Sequence, residues 1–491
     1  MKKSISKILV ASVIMVSACT SDFEEINKNP NSPTDVTTQL LLPQAMRDMI
    51  NSLMSETWGI GNIVVQHTAK NQFVNEDRYL WGERNGIWNA VYDNLRDINN
   101  IIVLADKDGL SNNKAVALIL KSWMFSLATD AYGDIPYSEA IKAKEGIIYA
   151  KYDTQESIYQ GILADLATAN TLLSTGKDGI SGDPLYAGDA TKWRKLANSL
   201  RLRYLLRISD RKSVGADINA IISNPGASPI FTGNGDNAAY TYAAAAPDQF
   251  PEYTSRIGSF NEFRASKTLV DWLKDRNDPR LKIFFRPTPA TENTTDPADD
   301  VFVGIPNGLG DVEAQAFNGG QQFQSRIGAL YYENAITIAG LSIAKGVIMN
   351  YAEVQFILAE AAEKSLIIGN AETHYLAGVK ASFDFYGVDP GSAYYSQSKV
   401  VYTGTKTEKL AKIGEQKWSA LFYNGLEAWF EWRRTNIPAL IPSVTNQNDN
   451  KIPVRFIYPI IEQGLNATNR SAAVSRQGTD NLNTKVWWDV N

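Results

Sequence analysis

Apolar residues recur every three or four positions over much of the chain, which is the spacing of one face of an α-helix. The segment from Ala117 to Ala128 is apolar almost all round, so we expect a helix that is buried on several sides. Gly133 and Pro136 predict its end, because glycine tolerates the left-handed cap and proline cannot continue a helix. Two amphipathic helices are predicted next, at Gln155–Leu173 and Thr191–Ile208.

The later part of the chain repeats this pattern. In the helix predicted at Thr191–Ile208 the apolar stripe is Trp193, Ala197, Leu200 and Tyr204, and the arginines Arg194, Arg201 and Arg203 lie elsewhere. The segments MNYAEVQFILAEAAEKS and EQKWSALFYNGLEAWFEWRRTNIP carry equivalent stripes, Tyr351, Val354, Leu358 and Ala361 in the first and Trp418, Phe422, Leu426 and Trp429 in the second. Strands are few, and KVVYTGT, from Lys399 to Thr405, is the best candidate.

Paired helices with alternating small and aromatic residues are typical of stacked tetratricopeptide-like hairpins. At least three such pairs can be drawn, although their period is irregular. The sequence therefore predicts a mainly α fold in one globule: a tetratricopeptide-like helical-repeat scaffold with long irregular loops and a few short strands.

The first residues have the pattern of a secretory signal. Lys2, Lys3 and Lys7 precede an apolar or small run from Ile8 to Ala18, which is too short for the ~20 residues of a transmembrane helix. Cys19 follows directly and is the only cysteine among 491 residues. We expect a signal peptide at 1–18, a modified cysteine with a flexible tether at 19–37 and a ligand-binding domain at 38–491. An ordinary secretory signal with an incidental cysteine is the alternative.

Composition excludes several classes of protein. A lone cysteine cannot form an intramolecular disulfide, and two histidines do not supply the usual metal clusters, so we expect neither a metal nor a cofactor. The formal net charge of −5 becomes −8 without the three lysines of the signal, which argues against nucleic-acid binding. No nucleophile elbow, zinc-protease motif or phosphate-binding glycine loop is present, so we expect a protein that is not an enzyme. A hydrolase built on two of the 53 acidic residues is the alternative.

Six ordered blocks resemble the SusD/RagB family, in particular its SusD-like subgroup with a terminal Trp-Trp-Asp signature. They are ATDAYGDIPYSEA (128–140), NDPRL (277–281), MNYAEVQFILAEAA (349–362), KWSALFYNGLEAWFEWRRT (417–435), RFIYPIIEQGLN (455–466) and TKVWWD (484–489). Val16-Ser17-Ala18-Cys19 similarly resembles the bacterial lipobox, in which the thiol is acylated and anchors the protein.

The resemblance implies a function as well as a fold. Family members are outer-membrane lipoproteins facing the cell exterior that sit as a lid on a SusC-type TonB-dependent transporter. They bind an oligosaccharide or a peptide, deliver it to the barrel, and have no catalytic activity. An adaptor that binds only its protein partner is a further possibility left open by the sequence.

Ligand contacts are expected in the loops, where exposed aromatic rings can stack on sugars and polar side chains can bind their hydroxyl groups. Three loops have this mixture: residues 66–85, 232–263 and 317–334. We predict ligand-binding residues at Trp81 first, and then at Tyr79, Phe73, Asn71, Arg78, Tyr253, Arg256, Phe260, Arg326 and Tyr331. The alternative for each is that it pins its loop to the scaffold. Trp418, Trp429, Trp432, Trp487 and Trp488 are expected to pack in the core.

Overall fold

The computed structural model describes residues 37–243, 246, 248–253, 259–292, 296–332 and 344–491. The predicted signal peptide, Cys19 and the tether as far as residue 36 lie outside these ranges. None of the helices within them combines the length and the apolar character needed to cross a bilayer.

Helices dominate the described chain, as the sequence predicts. The longer ones are α1 Thr38–Glu56, α2 Gly86–Asp108, α3 Ser111–Tyr132, α4 Gln155–Thr175, α5 Ala190–Arg207, α6 Gly215–Ile222, α7 Lys267–Lys274, α8 Tyr351–Glu363, α9 Ala371–Phe385, α10 Lys406–Ala420, α11 Gly425–Thr435 and α12 Ala467–Gln477. Shorter helical turns lie at Asn62–Val64, Leu281–Phe284, Asp311–Ala316, Ala329–Tyr332, Ser392–Tyr395 and Glu462–Leu465.

Consecutive helices pack against each other and form the scaffold. Helix α2 lies between α1 and α3, α4 lies between α3 and α5, and α8 packs on α9, α10 and α5. This stacking confirms the tetratricopeptide-like prediction. The helices predicted at Gln155–Leu173 and Thr191–Ile208 match α4 and α5 to within two residues at every end.

Local sequence signals set the helix ends. Helix α3 stops at Tyr132 because Gly133 takes a positive φ of 88°, as predicted from the glycine. At the start of α4 the Thr154 side chain accepts a hydrogen bond from the backbone N–H of Ser157, and Asp189 caps α5 in the same way. Thr405 and Glu408 form a reciprocal capping box at α10.

Strands are short and pair in three separate antiparallel ribbons. The pairs are β1 Thr68–Lys70 with β5 Phe263–Ala265, β2 Ile135–Pro136 with β3 Tyr152–Asp153, and β4 Ala238–Thr241 with β6 Lys345–Met349. The strand predicted at 399–405 is wrong, because this segment forms turns. Its carbonyl groups bond to a side chain rather than to a strand: Lys412 Nζ donates to the carbonyls of Val401 and Thr403 at 2.7 and 3.0 Å.

Large aromatic side chains and ion pairs close the core. Trp418, Trp429 and Trp488 are buried, which confirms their predicted packing role. The arginines that lie off the apolar stripe of α5 are not all exposed to solvent. Arg203 is buried and forms an ion pair with Glu353 of α8 at 2.6 Å. Arg207 of α5 binds Asp130 of α3 at 3.0 Å. Removing one partner of such a pair would leave a buried charge uncompensated, so these pairs fix the relative positions of the helices.

Candidate functional site

The first and third predicted loops meet the end of the second on one side of the scaffold. Strand β1, which lies in the first loop, pairs with β5 at the end of the second, and the backbone N–H of Asn71 extends this ribbon by donating to the carbonyl of Glu262 at 2.8 Å. The Asn71 amide donates to Gln324 Oε1 of the third loop at 3.3 Å. We call the surface formed by residues 66–82, 261–264, 307–328 and 441–447 the loop face.

A buried carboxylate anchors the loop face. Asp77 accepts hydrogen bonds from the backbone N–H of Lys70 at 3.1 Å and from the Asn307 side-chain amide at 2.7 Å. Burial raises the pKa of Asp77 to about 6, although these hydrogen bonds and the charge of Lys70 act in the opposite direction. Asp77 thus joins the first loop to the segment at Asn307, but it lies too deep to touch a ligand.

Two phenyl rings project from this pinned framework. Phe73 is 67% exposed and Phe323 is 37% exposed. Phe73 also has a positive φ of 51°, which is strained for a bulky side chain and usually persists only where the surroundings enforce it. Asn71 and Gln324, which are hydrogen-bonded to each other, lie within two residues of these rings in the chain, so both rings belong to the same part of the loop face.

Further apolar side chains are exposed around these rings. Leu80, Val312, Ile441 and Val444 are all exposed. The segment containing Ile441 and Val444 is held to the loop face by backbone hydrogen bonds, from Val444 to the carbonyl of Asn307 at 2.9 Å and from Gln447 to that of Arg78 at 2.7 Å. An exposed concentration of apolar groups is typical of a binding or docking surface.

The strongest prediction from the sequence, an exposed ring at Trp81, is wrong. Trp81 is only 9% exposed, its Nε1 donates to the carbonyl of Glu76 at 2.9 Å, and its ring packs on Trp429 and Phe456. Tyr79 and Asn71 are buried as well, and Tyr79 Oη accepts a hydrogen bond from the backbone N–H of Ser443. All three side chains pin the loop, which was the alternative for each residue.

The remaining predicted residues have different surroundings. Arg78 and Tyr253 are half-buried, and Arg78 Nε donates to the carbonyl of Thr445 at 3.1 Å. Arg326 is half-buried and forms an ion pair with Glu292. Arg256 and the side chain of Phe260 lie outside the described residues.

Tyr331 is not on the surface but lines a cavity of about 390 Å³ between the scaffold and the third loop. Its ring stacks on that of Tyr423 with centroids 3.9 Å apart. Other lining residues include Tyr186, Lys192, Asn234, Asn237, Lys345 and Phe422. The cavity combines ring faces with amide and ammonium groups, so it is a second place where a small polar ligand could bind.

His67, the histidine of the first loop, is buried. His67 Nε2–H donates to the Trp418 carbonyl at 3.0 Å, and burial lowers the pKa of His67 to about 3, so it is a neutral structural group at physiological pH. Within the described ranges no group of three or more histidine, cysteine, aspartate or glutamate side chains could hold a metal ion.

Sequence reasoning missed the buried polar residues that build the loop face. Asn307 and Gln324 both make side-chain hydrogen bonds between segments more than 200 residues apart. Arg264, in β5 directly after the second loop, was also missed. Nothing in the local pattern distinguishes these residues from other polar loop positions, because their roles depend on distant partners.

A SusD-like family described as starch-binding and associating with the outer membrane matches residues 30–459. A search of curated protein sequences gave no match.

Related solved structures cover nearly the whole chain. A chitin-binding protein is 30% identical, with a TM-score of 0.78 over 92% of this chain and 99% of its own. A chitin-binding SusD homologue from Flavobacterium johnsoniae is 26% identical, with a TM-score of 0.77 over 91% of this chain and 98% of its own. A SusD homologue from Bacteroides fragilis is 25% identical, with a TM-score of 0.81 over 92% and 100%.

Proposed function

This chain belongs to the SusD-like family of outer-membrane-associated, starch-binding proteins, and we propose that it captures a nutrient oligosaccharide at the cell surface. In this proposal the protein is a lid on a SusC-type TonB-dependent transporter and hands the ligand over to that barrel. It carries out no catalysis itself. The family and two chitin-binding relatives support a carbohydrate ligand.

The exposed rings of Phe73 and Phe323 are the observation that carries the proposal. Sugars present flat C–H faces that stack on aromatic rings, while their hydroxyl groups need polar neighbours. The loop face supplies both, because exposed Asn75, Gln321 and Gln322 lie within two residues of these rings. The chain beside the rings is held by the buried hydrogen bond between Asn71 and Gln324, which reduces the loss of conformational entropy on binding.

The capture role is testable by isothermal titration calorimetry of the purified protein. The probes are malto-, chito- and xylo-oligosaccharides and mixed peptides, with Phe73→Ala and Phe323→Ala beside the wild type. We expect one glycan class to bind and each variant to weaken it by about 10- to 150-fold, since burying a phenylalanine ring contributes ~1.5–3 kcal/mol. Tyr149→Ala is the matched control, because Tyr149 is an exposed ring outside the loop face.

The outcomes of this titration distinguish the site, the ligand class and the capture role. Unchanged affinity in both phenylalanine variants, with binding retained, would move the glycan site away from the loop face. Binding of the peptides alone would favour the alternative in which the protein captures peptides for import. An absence of binding to any sugar would contradict the capture role.

The membrane arrangement is a separate part of the proposal. Cys19 would carry the acyl chains, with residues 1–18 removed and the tether linking the anchor to the domain. Cys19→Ala should release the protein from the outer-membrane fraction, and unchanged retention would refute the acyl anchor. The lid role predicts co-purification with a TonB-dependent barrel from a detergent extract, and its repeated absence would refute that role.

A further inference from the structure

Buried arginines in this protein usually have a carboxylate partner. Within the described ranges the pairs are Arg203 with Glu353, Arg207 with Asp130, Arg276 with Glu415, Arg280 with Asp278, Arg434 with Glu360 and Arg455 with Asp480. Arg433 lacks such a pair, but its guanidinium lies 4.2 Å from the ring centroid of Trp429 and 4.7 Å from that of Trp488. Ring faces attract a cation, so Arg433 is compensated.

Among the described residues, Arg264 has neither form of compensation. It is 3% exposed, and no carboxylate of the described chain lies within ion-pair distance of it. Its Nη1 donates to the backbone carbonyls of Asn261 and, at 2.9 Å, Phe263. Within the described part of the chain its Nε is buried without an acceptor, and Nη2, which is not among the fully buried unpaired atoms, makes no hydrogen bond. One nitrogen of a nearly buried cation is therefore available to a ligand.

A second cation lies on the neighbouring segment, because the backbone N–H of Ala265 donates to the carbonyl of Ser325 at 3.0 Å and so places Arg326 beside Arg264. Burial, followed by the positive charge of Arg326, lowers the pKa of Arg264 to about 10, so the group is still a cation at neutral pH. The side chain of Arg326 is 25% exposed and pairs with Glu292, which also pairs with Arg286. Glu292 is thus already shared, and it does not neutralise Arg264. Burying an unpaired charge is unfavourable, and a bound anion would compensate the charge of Arg264.

We propose that Arg264 and Arg326 form a subsite for an anionic substituent of the glycan, either a uronate carboxylate or a sulfate ester. Arg326 lies three residues after Phe323, so the subsite borders the exposed rings of the loop face. A planar guanidinium binds both kinds of oxyanion through paired N–H groups. This inference rests on the proposed capture function and names the chemical class of its ligand.

The first test is a calorimetric comparison at low and high salt. Oligogalacturonates represent the carboxylate, sulfated carrageenan oligosaccharides represent the sulfate, and malto- and chito-oligosaccharides of equal length are the neutral probes. We expect one anionic class to bind at least about tenfold more tightly than the neutral probes, with an affinity that falls as salt rises. Binding of neutral sugars alone would overturn the anionic subsite and leave the capture role intact. An absence of binding to every sugar would overturn both the anionic subsite and the capture role.

Variants then assign the effect to the two arginines. Arg264→Met and Arg326→Gln should each weaken the anionic ligand by about tenfold or more and leave any neutral sugar unaffected. Arg96→Gln is the control, because Arg96 is exposed on α2 and far from the subsite in the chain. If Arg264→Met fails to fold, the more exposed Arg326→Gln still decides the question.

Stability without ligand distinguishes a binding arginine from a structural one. An unpaired buried cation opposes folding, so Arg264→Met should raise the melting temperature of the ligand-free protein while it weakens anion binding. If Arg264 served only to bind the carbonyls of Asn261 and Phe263, the same variant would lower the melting temperature and leave anion affinity unchanged. That pair of results would refute the subsite.

Discussion

Replacing Asp77 by asparagine should remove a pH-dependent part of the stability of this protein. Asp77 is fully buried in the loop face, where it accepts hydrogen bonds from the Lys70 backbone and the Asn307 side chain. Burial raises its pKa from 3.8 to about 6. Between these two values the folded chain binds a proton that the unfolded chain does not bind, so the free energy of unfolding rises as the pH falls through 6.

The magnitude follows from this pKa shift. Lowering the pH from 7.5 to 5 should stabilise the wild type by about 1.4 kcal/mol through Asp77 alone. With an unfolding entropy of about 2.1 cal/mol/K per residue, this corresponds to a rise of about 1–2 °C in melting temperature for a chain of this length. Asp77→Asn cannot titrate, so it should lack this contribution.

Differential scanning calorimetry at the two pH values measures the effect as a double difference. The change in melting temperature between pH 7.5 and pH 5 is compared for the wild type and Asp77→Asn, which cancels every other titrating group. Asp93→Asn is the control, since Asp93 is an exposed carboxylate on α2. An equal pH response in the wild type and Asp77→Asn would refute the assignment of a raised pKa to the buried carboxylate.

Three other substitutions test the same region. Trp81→Ala should lower the free energy of unfolding by about 3–5 kcal/mol, measured by denaturant titration, because it removes a ring packed on Trp429. His67→Gln should remove an opposite pH response: the pKa of His67 is lowered from 6.5 to about 3, so the wild type loses about 2 kcal/mol between pH 7.5 and pH 5. Gly61→Ala should destabilise the fold by at least about 1 kcal/mol, seen as a lower melting temperature, since its Cβ would lie 2.7 Å from the backbone nitrogen of Leu426. Unchanged stability in Trp81→Ala or Gly61→Ala would contradict the packing argument, and a pH response of His67→Gln equal to that of the wild type would contradict the titration argument.

The helical scaffold was predictable because its determinants are local. Apolar spacing located α4 and α5, and glycine and capping residues set several ends. Short strands were not predictable. Strand β1 holds only Thr68–Lys70, and it exists because β5 lies beside it, nearly 200 residues away in the chain. The false strand at 399–405 has the composition of a strand but lacks a neighbour, so its carbonyl groups bond to Lys412 instead.

The site was predictable at the level of loops and not of single residues. Loops 66–85 and 317–334 do meet, and Phe73 is exposed as expected. The choice of Trp81 over Phe73 failed because size and aromatic character favour burial as much as ligand stacking. Local polarity around Trp81 gave no indication of Trp429 and Phe456, which cover its ring from other parts of the chain.

The error at Trp81 also explains how a long loop can present a defined binding surface. A loop that stacks on sugar must hold its exposed rings in place, so some of its own side chains have to be buried for anchoring. Here the large rings of Trp81 and Tyr79 and the polar side chains of Asn71 and Asp77 do this, and the smaller ring of Phe73 is left outside in a strained conformation. The unfavourable features of the loop face, a carboxylate with a raised pKa and a positive φ at Phe73, therefore lie beside the exposed ring. Relieving the strain with Phe73→Gly, compared with Phe73→Ala, should raise the melting temperature while both variants lose ligand affinity, and a lower melting temperature for the glycine variant would show that the strain is not significant.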